Sequence, residues 1–346
     1  MKKISKIGLS ALCSSLAVIS TANAGDMKVT GAAHITHTSK SGLVTGQPLG
    51  MKTNLSFIGS GELDGGQDFS VTIAHTDQNT WSSANITLNL NSLGTWKLSA
   101  AEGGGGIGGY DDNMPRAWEE VWDSGSGTSV NLQKGVGSST NLSYTTPKAF
   151  ATTLQLAWAP ENDGTQPNDK SVGGSNGSNT YGQGADAVLN IAPTFGALGF
   201  NLFVGASVTE QEEVDTTFQV KTGDHEEGVA GLVIDLGPIS VGGQVSAENT
   251  HNSRVGQVEY YGNASIGVAL NINDDLSISY GDHRSMQTMI NQPNGATGVT
   301  MDSDSWQVAY TIGGVALKYA KTEVTNVAYT RNTAAESDVF SLSMAF

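Results

Sequence analysis

The chain has 346 residues, 33 acids against 17 lysines and arginines, and a net charge of −16. That balance excludes nucleic acid as a partner, because binding to a polyanion rests on basic residues that neutralise phosphates. One cysteine, Cys13, excludes an internal disulfide framework, and although glycine is abundant (44 residues) and charge low (14 %), evenly spread β-branched and apolar residues exclude a disordered chain.

Residues 1–24 read as an export peptide. Lys2, Lys3 and Lys6 form a positive start, Ile7 to Ile19 is mostly apolar, and Ala22-Asn23-Ala24 is a small-x-small cleavage site. The apolar run is too short and too broken by serine to span a membrane. Cleavage there places the mature domain at 25–346. It removes three basic residues and no acid, leaving 14 bases against 33 acids, a net charge of −19. Cys13 leaves with the leader.

Sixteen segments of alternating apolar and polar residues follow. They cover 26–38, 49–62, 68–77, 83–92, 95–102, 138–146, 150–159, 183–192, 199–210, 227–236, 238–249, 258–272, 275–284, 303–312, 314–324 and 336–346. Ile86, Leu88 and Leu90 alternate with Asn85, Thr87 and Asn89; Trp306, Val308, Tyr310 and Ile312 alternate with Gln307, Ala309 and Thr311. Period two with one apolar face is the signature of a strand wetted on one side. The connections are expected to alternate long and short throughout, with turns such as Leu93-Gly94, Asn273-Asp274 and Gly313 opposite long loops near 39–48, 103–137, 160–182, 211–226, 285–302 and 325–335. An even-stranded barrel with both termini on one side needs that rhythm. The expected fold is all-β: a 16-stranded antiparallel transmembrane β-barrel, one domain, with an inward-folded constriction loop after strand 5. A soluble β-sandwich or β-solenoid is the competing architecture.

Two motifs carry a family likeness. Ser56-Phe57-Ile58-Gly59-Ser60-Gly61-Glu62-Leu63-Asp64-Gly65-Gly66 resembles the second strand, turn and third-strand entry of Gram-negative outer-membrane general porins. The closing run Phe340-Ser341-Leu342-Ser343-Met344-Ala345-Phe346 is similar to their last strand. The resemblance implies residence in the outer membrane of a Gram-negative bacterium, contact with its lipid and lipopolysaccharide, and a homotrimer. It also implies that Phe340, Leu342, Met344 and Phe346 are read as an assembly signal by the barrel-assembly machinery, with the last strand pairing to the first. Met114-Pro115-Arg116-Ala117-Trp118-Glu119-Glu120-Val121-Trp122-Asp123 looks closer to porins of marine or alphaproteobacterial type.

The longest connection, Gly103 to Gly137, follows the fifth segment, where this family folds its constriction loop inward. It opens on glycines that bend at little steric cost. Pro115 suits the first turn of a short helix, which would put Trp118 and Trp122 on one face and Glu119 and Asp123 on the next. The loop carries Glu102, Asp111, Asp112, Glu119, Glu120 and Asp123 against Arg116 and Lys134. Asp111, Asp112, Arg116, Glu119, Glu120 and Asp123 are therefore the expected pore constriction. The other reading is a solvated surface loop.

Alternation turns Lys28, His34, Lys52, Lys97 and Lys318 inward. Lys28, Lys52 and Lys318 stand on strands that adjoin in a closed barrel and, with Lys97, form a candidate basic wall facing the acidic loop. Such a transverse field orients polar solutes and penalises apolar ones. The same lysines would otherwise snorkel to a membrane interface.

Acid-rich loops at Glu161 and Asp163, at Glu210, Glu212, Glu213 and Asp215, and at Asp224, Glu226 and Glu227 admit loose Ca²⁺ binding, with Glu212, Glu213 and Asp215 the best candidates. Ordinary solvated charge is the alternative. No other cofactor is expected. No histidine pair has zinc spacing, and the glycines of 103–109 lack a phosphate-binding lysine, so the chain carries no enzyme signature. The expected activity is passive diffusion of small hydrophilic solutes and ions, with cations preferred. A substrate-selective channel and a structural or adhesive surface barrel are the alternatives.

Overall fold

The computed structural model describes residues 23–43, 46–63, 65–76, 80–100, 105–123, 129–162, 181–211, 221–290 and 296–345. Most of the segment 1–24 expected to be an export peptide, together with Glu102, Asp163, Glu212, Glu213, Asp215 and Phe346, lies outside these described residues.

The strands are β1 (Asn23–Ser41), β2 (Leu49–Glu62), β3 (Asp68–Thr76), β4 (Thr80–Asn89), β5 (Thr95–Ala100), β6 (Asn141–Thr145), β7 (Thr152–Ala159), β8 (Tyr181–Ile191), β9 (Thr194–Phe195), β10 (Leu198–Gln211), β11 (His225–Leu236) and β12 (Ile239–Asn249). They continue as β13 (Val258–Asn271), β14 (Leu276–Ile290), β15 (Ala296–Ile312), β16 (Val315–Thr325) and β17 (Ala334–Ala345). Every pairing is antiparallel. Ile191 pairs with Leu202, Thr194 with Gly199 and Phe195 with Leu198, so β9 continues β8 in the same register. The break falls at Ala192-Pro193, where proline has no N–H to donate to the ladder. The wall therefore has sixteen strands. It closes because the second half of β1 pairs with β17, from Ala32↔Ala345 to Ser41↔Glu336. A closed wall pairs every strand edge, which is what a lipid environment requires of β structure.

The pleat sorts side chains inside out. Val29, Ile35, Leu98, Trp158, Val204, Ile266, Trp306 and Phe340 stand exposed on the outer face, while Ser207, Gln244, Ser265, Ser279, Gln307 and Ser343 are buried on the inner one. A soluble sandwich would do the reverse. Aromatic pairs tie the outer face across strands: Tyr280 with Trp306 at 4.7 Å between ring centroids, and Tyr319 with Phe340 at 4.7 Å.

All sixteen expected segments are strands, but the loop rhythm differs in two places. β3 ends at Thr76 and β4 already begins at Thr80, too close for a long loop between them. The loop expected at 285–302 shrinks to 291–295, because β14 runs on to Ile290 and β15 begins at Ala296. Met286 and Met289 fall on opposite parities there, so the apolar alternation fades although the ladder with β15 continues. Backbone pairing, not side-chain pattern, carries those strand ends. Glu226 and Glu227 likewise belong to β11 and not to a loop, and adjacent strand positions face opposite sides.

Candidate functional site

The described parts of the connection between β5 and β6, 105–123 and 129–140, lie against inward-facing residues of the wall. Its two ends run side by side, Gly105–Tyr110 beside Gln133–Ser139, against β8, β10 and β11. Asp186 of β8 accepts the N–H of Ile107 at 3.0 Å and of Val136 at 3.2 Å. Glu227 of β11 accepts the N–H of Lys134 at 2.9 Å and of Gly135 at 2.7 Å. Ile107 closes an apolar cluster with Val188, Phe203 and Val229 of the wall. Gly106 and Gly135 have φ of +57° and +55°, and a Cβ on either would overlap the Asp186 carboxylate. Only glycine fits both demands.

The middle of the loop crosses to β12–β15. Gln244 Nε2 donates to the Asp111 carbonyl at 2.9 Å, and its Oε1 accepts the Asn113 N–H at 3.3 Å. The Ala117 N–H donates to Ser279 Oγ at 2.8 Å. The N–H groups of Trp118 and Glu119 donate to Gln307 Oε1 at 3.0 and 3.1 Å, and Gln307 Nε2 donates back to the Glu119 carbonyl at 2.6 Å. These bonds explain why no helix follows Pro115, contrary to the expectation from sequence. The backbone groups that would start it are taken by wall side chains, leaving bends and one turn at 121–123. The wall makes room with small residues: a Cβ on Gly281 would overlap Val121, and one on Gly267 would lie 2.7 Å from the Pro115 carbonyl. Trp122 packs on the His283 ring, with centroids 4.2 Å apart.

The expected constriction residues fall into two groups. Arg116 bonds Asp112 at 3.1 Å and Glu120 at 2.8 Å, beside Asp111. With Met114, Val121 and Trp122, Asp112, Arg116 and Glu120 line a narrow gap against Ser265, Ser279 and Gln307, so they face the wall as much as the lumen. Burial, then the neighbouring Asp112 charge, pushes Asp111 up to about 7. Burial, then sharing of a hydrogen bond with Asp112, pushes Glu120 up to about 7 despite Arg116. Glu119 and exposed Asp123 form the second, which adjoins the first: one carboxylate oxygen each of Glu119, Glu120 and Asp123 lie within 4.8 Å of one another. Burial and Asp123 raise the Glu119 pKa, while Lys318, Arg116 and Lys52 pull it down. Lys318 Nζ lies 5.8 Å from the Trp118 ring centroid.

The four lysines of the expected basic wall all face inward, but the structure does not gather them. Lys52 pairs with His34 in the β1–β2 ladder, and Lys318 shares the row of Ser341 and Thr36, so these two meet the loop together. Lys28 sits six residues before His34 on β1, roughly 20 Å along the strand, opposite Ile58. Lys97 stands on β5 opposite Thr87 and Ser143, on another part of the wall. In the closing strand, Phe340 and Met344 are exposed on the outer face and Leu342 pairs with Ile35 of β1.

Reading the sequence alone misses the receiving side: Asp186, Gln244, Ser279, Gln307 and the glycines at 267 and 281 go unnoticed, and Glu227 is read only as one acid of a loop. Polar residues at inward positions look like ordinary lumen filling. The available signal is glycine inside a strand at an inward position, which marks close approach by another backbone.

No protein-family model and no curated protein sequence matches the chain. Solved structures do. Salmonella typhi OmpF in complex with daunomycin superposes with a TM-score of 0.65 at 12% identity, covering 93% of this chain and 98% of that one. The barrel has the general porin fold. An anion-selective porin from Comamonas acidovorans matches with a TM-score of 0.62 at 12% identity, over 93% of this chain and 99% of that porin. Pseudomonas putida OprB in its high-pH structure matches with a TM-score of 0.61 at 10% identity, over 98% and 97%. At such identities the porin likeness is one of architecture.

Proposed function

We propose that this porin-fold barrel is an outer-membrane channel for passive diffusion of small hydrophilic solutes and ions. The observation that carries the reading is the disposition of the 101–140 loop. It lies against the inner wall of β8–β15 and leaves the inward faces of β1 and β2 wet, with Lys28, Lys52 and Asn54 exposed. A polar lumen narrowed from one side supports selective passage of water-soluble molecules. Export with loss of residues 1–24, homotrimeric assembly and recognition of the β17 end by the assembly machinery accompany this reading.

Cation preference is part of the proposal. Arg116 compensates Asp112 and Glu120, so the acids that act on a passing ion are Glu119 and exposed Asp123, facing Lys52 and Lys318. A carboxylate about 4 Å from an ion is worth ~1 kcal/mol in water and several-fold more where solvent is thinned. The closest approach to a catalytic pair among the described residues is Ser265 Oγ and His283 Nδ1, 2.6 Å apart. His283 is wholly buried beneath Trp122, which supports a structural role for the pair and a non-enzymatic barrel.

Reversal potentials across a KCl gradient in planar bilayers test the reading. The wild type should pass cations preferentially, and Glu119→Gln should lose a substantial part of that preference at nearly unchanged conductance. An anion-preferring wild type, or a variant with unaltered selectivity, overturns the assignment of Glu119 to the aperture. Absence of conductance steps overturns the channel.

A further inference from the structure

His225, Glu227 and Glu248 form a cluster on the inner wall that the diffusion reading does not use. His225 and Glu227 are two apart on β11 and therefore share its inward face. Glu248 of β12 stands directly opposite Glu227 in the ladder. One ligand atom from each of the three side chains lies within 4.8 Å of the others. His225 and Glu227 are buried, with Glu227 at 7 % exposure.

Two carboxylates directly opposite each other in a ladder repel, more so where water is excluded. A divalent cation placed among the three would relieve that repulsion. From this arrangement we propose that His225, Glu227 and Glu248 bind a divalent transition-metal ion. The donor set, one imidazole nitrogen and two carboxylates, suits Zn²⁺ and its neighbours better than Ca²⁺ or Mg²⁺, which favour oxygen alone. His225 Nε2 and Glu248 Oε1 are 2.9 Å apart. Two ligands of a tetrahedral zinc at its usual bond length would be ~3.4 Å apart, which lies between that separation and the 4.8 Å that bounds all three pairs.

The supporting shell is already present. The N–H groups of Lys134 and Gly135 fix the Glu227 carboxylate at 2.9 and 2.7 Å, and the Asn131 amide donates to Glu248 Oε2. Such outer partners orient metal ligands. All three belong to the returning arm of the 101–140 loop. The bound ion would thus fasten this arm to β11 and β12. This inference does not depend on the channel reading.

The test uses the full-length folded protein in detergent, stripped of metal. Isothermal titration with ZnCl₂ should show saturable uptake of one ion per chain, with weaker or no uptake of Ca²⁺. His225→Gln and Glu248→Gln should each bind Zn²⁺ at least tenfold more weakly. His251→Gln, which alters the exposed His251–Glu226 pair, should bind as the wild type does. Zn²⁺ should also slow tryptic cleavage after Lys134 in the wild type, a measurement that needs no variant. No saturable zinc uptake, unslowed cleavage at Lys134, Ca²⁺ bound in preference to Zn²⁺, or wild-type affinity in both folded variants would each overturn the site.

Discussion

The inner wall has two unlike halves. From β8 to β15 it is a receiving surface, where Asp186, Glu227, Gln244, Ser279 and Gln307 are spent on backbone groups of the loop and Gly267 and Gly281 give it room. On β1 and β2 it is a wet surface, where Lys28, Lys52 and Asn54 stand exposed. The residue types overlap, and polar residues fill both halves. What separates them is whether a second backbone arrives. Polar side chains on the first half bear on stability; under the proposed channel reading, charges on the second act on passing solutes.

That division is breakable, most forcefully on the covered side. Asp186→Ala leaves the buried N–H groups of Ile107 and Val136 without an acceptor, at about 1–3 kcal/mol each. The loop should loosen: thermal stability should fall, trypsin should cut faster after Lys134, and single-channel current should become noisier. If melting and proteolysis match the wild type, the covered half is not holding the loop. On the open side the opposite pattern is expected. Lys52→Gln with Lys318→Gln should shift the reversal potential towards stronger cation preference, while stability stays within about 0.5 kcal/mol. A large loss of stability there would mean that those lysines anchor the loop.

The smallest effect is a pH dependence at the boundary between the halves. Asp111 and Glu120 keep their protons to about 7 in the docked loop, against the ordinary carboxylate range when free. Docking therefore bears no penalty from them below about pH 4 and an increasing one as pH rises towards 7. Cation preference should rise between pH 6 and pH 8 as they ionise. A selectivity flat across that window would show that both acids are screened from the lumen by Arg116.

The two halves were also unequally legible. The wall was written plainly: outward apolar positions such as Ile86, Val204 and Trp306 repeat every second residue, and sixteen such runs imply a barrel. The loop's charged residues were visible as candidates, and inward-facing Lys52 and Lys318 followed from parity. That the acidic loop faces these lysines was expected, but not that Glu119 is the acid that meets them, because this depends on how far the loop travels around the barrel, and that is set by Ser279 and Gln307, 162 and 188 residues from the loop residues they bond. The helix expected after Pro115 failed for the same reason. Local spacing could suggest a turn, but the long-range acceptors that claim its N–H groups leave no local trace. Lys28 shows the converse: parity turned it inward correctly, yet position along β1 keeps it from Lys52.

Sending so long a segment inward has a consequence for the wall itself. The strands on either side of that excursion are cut short: β5 and β6 share a ladder only from Thr95↔Thr145 to Ser99↔Asn141, and β6 meets β7 only from Leu142↔Trp158 to Thr145↔Gln155. Ladders elsewhere in the wall run longer, such as β14–β15 from Leu276 to Ile290. Cooperative structures open first where the fewest bonds must break together. The chain that furnishes the plug thus leaves a seam beside it. Amide hydrogen exchange at 95–100 and 141–145 should mark where this cylinder unzips.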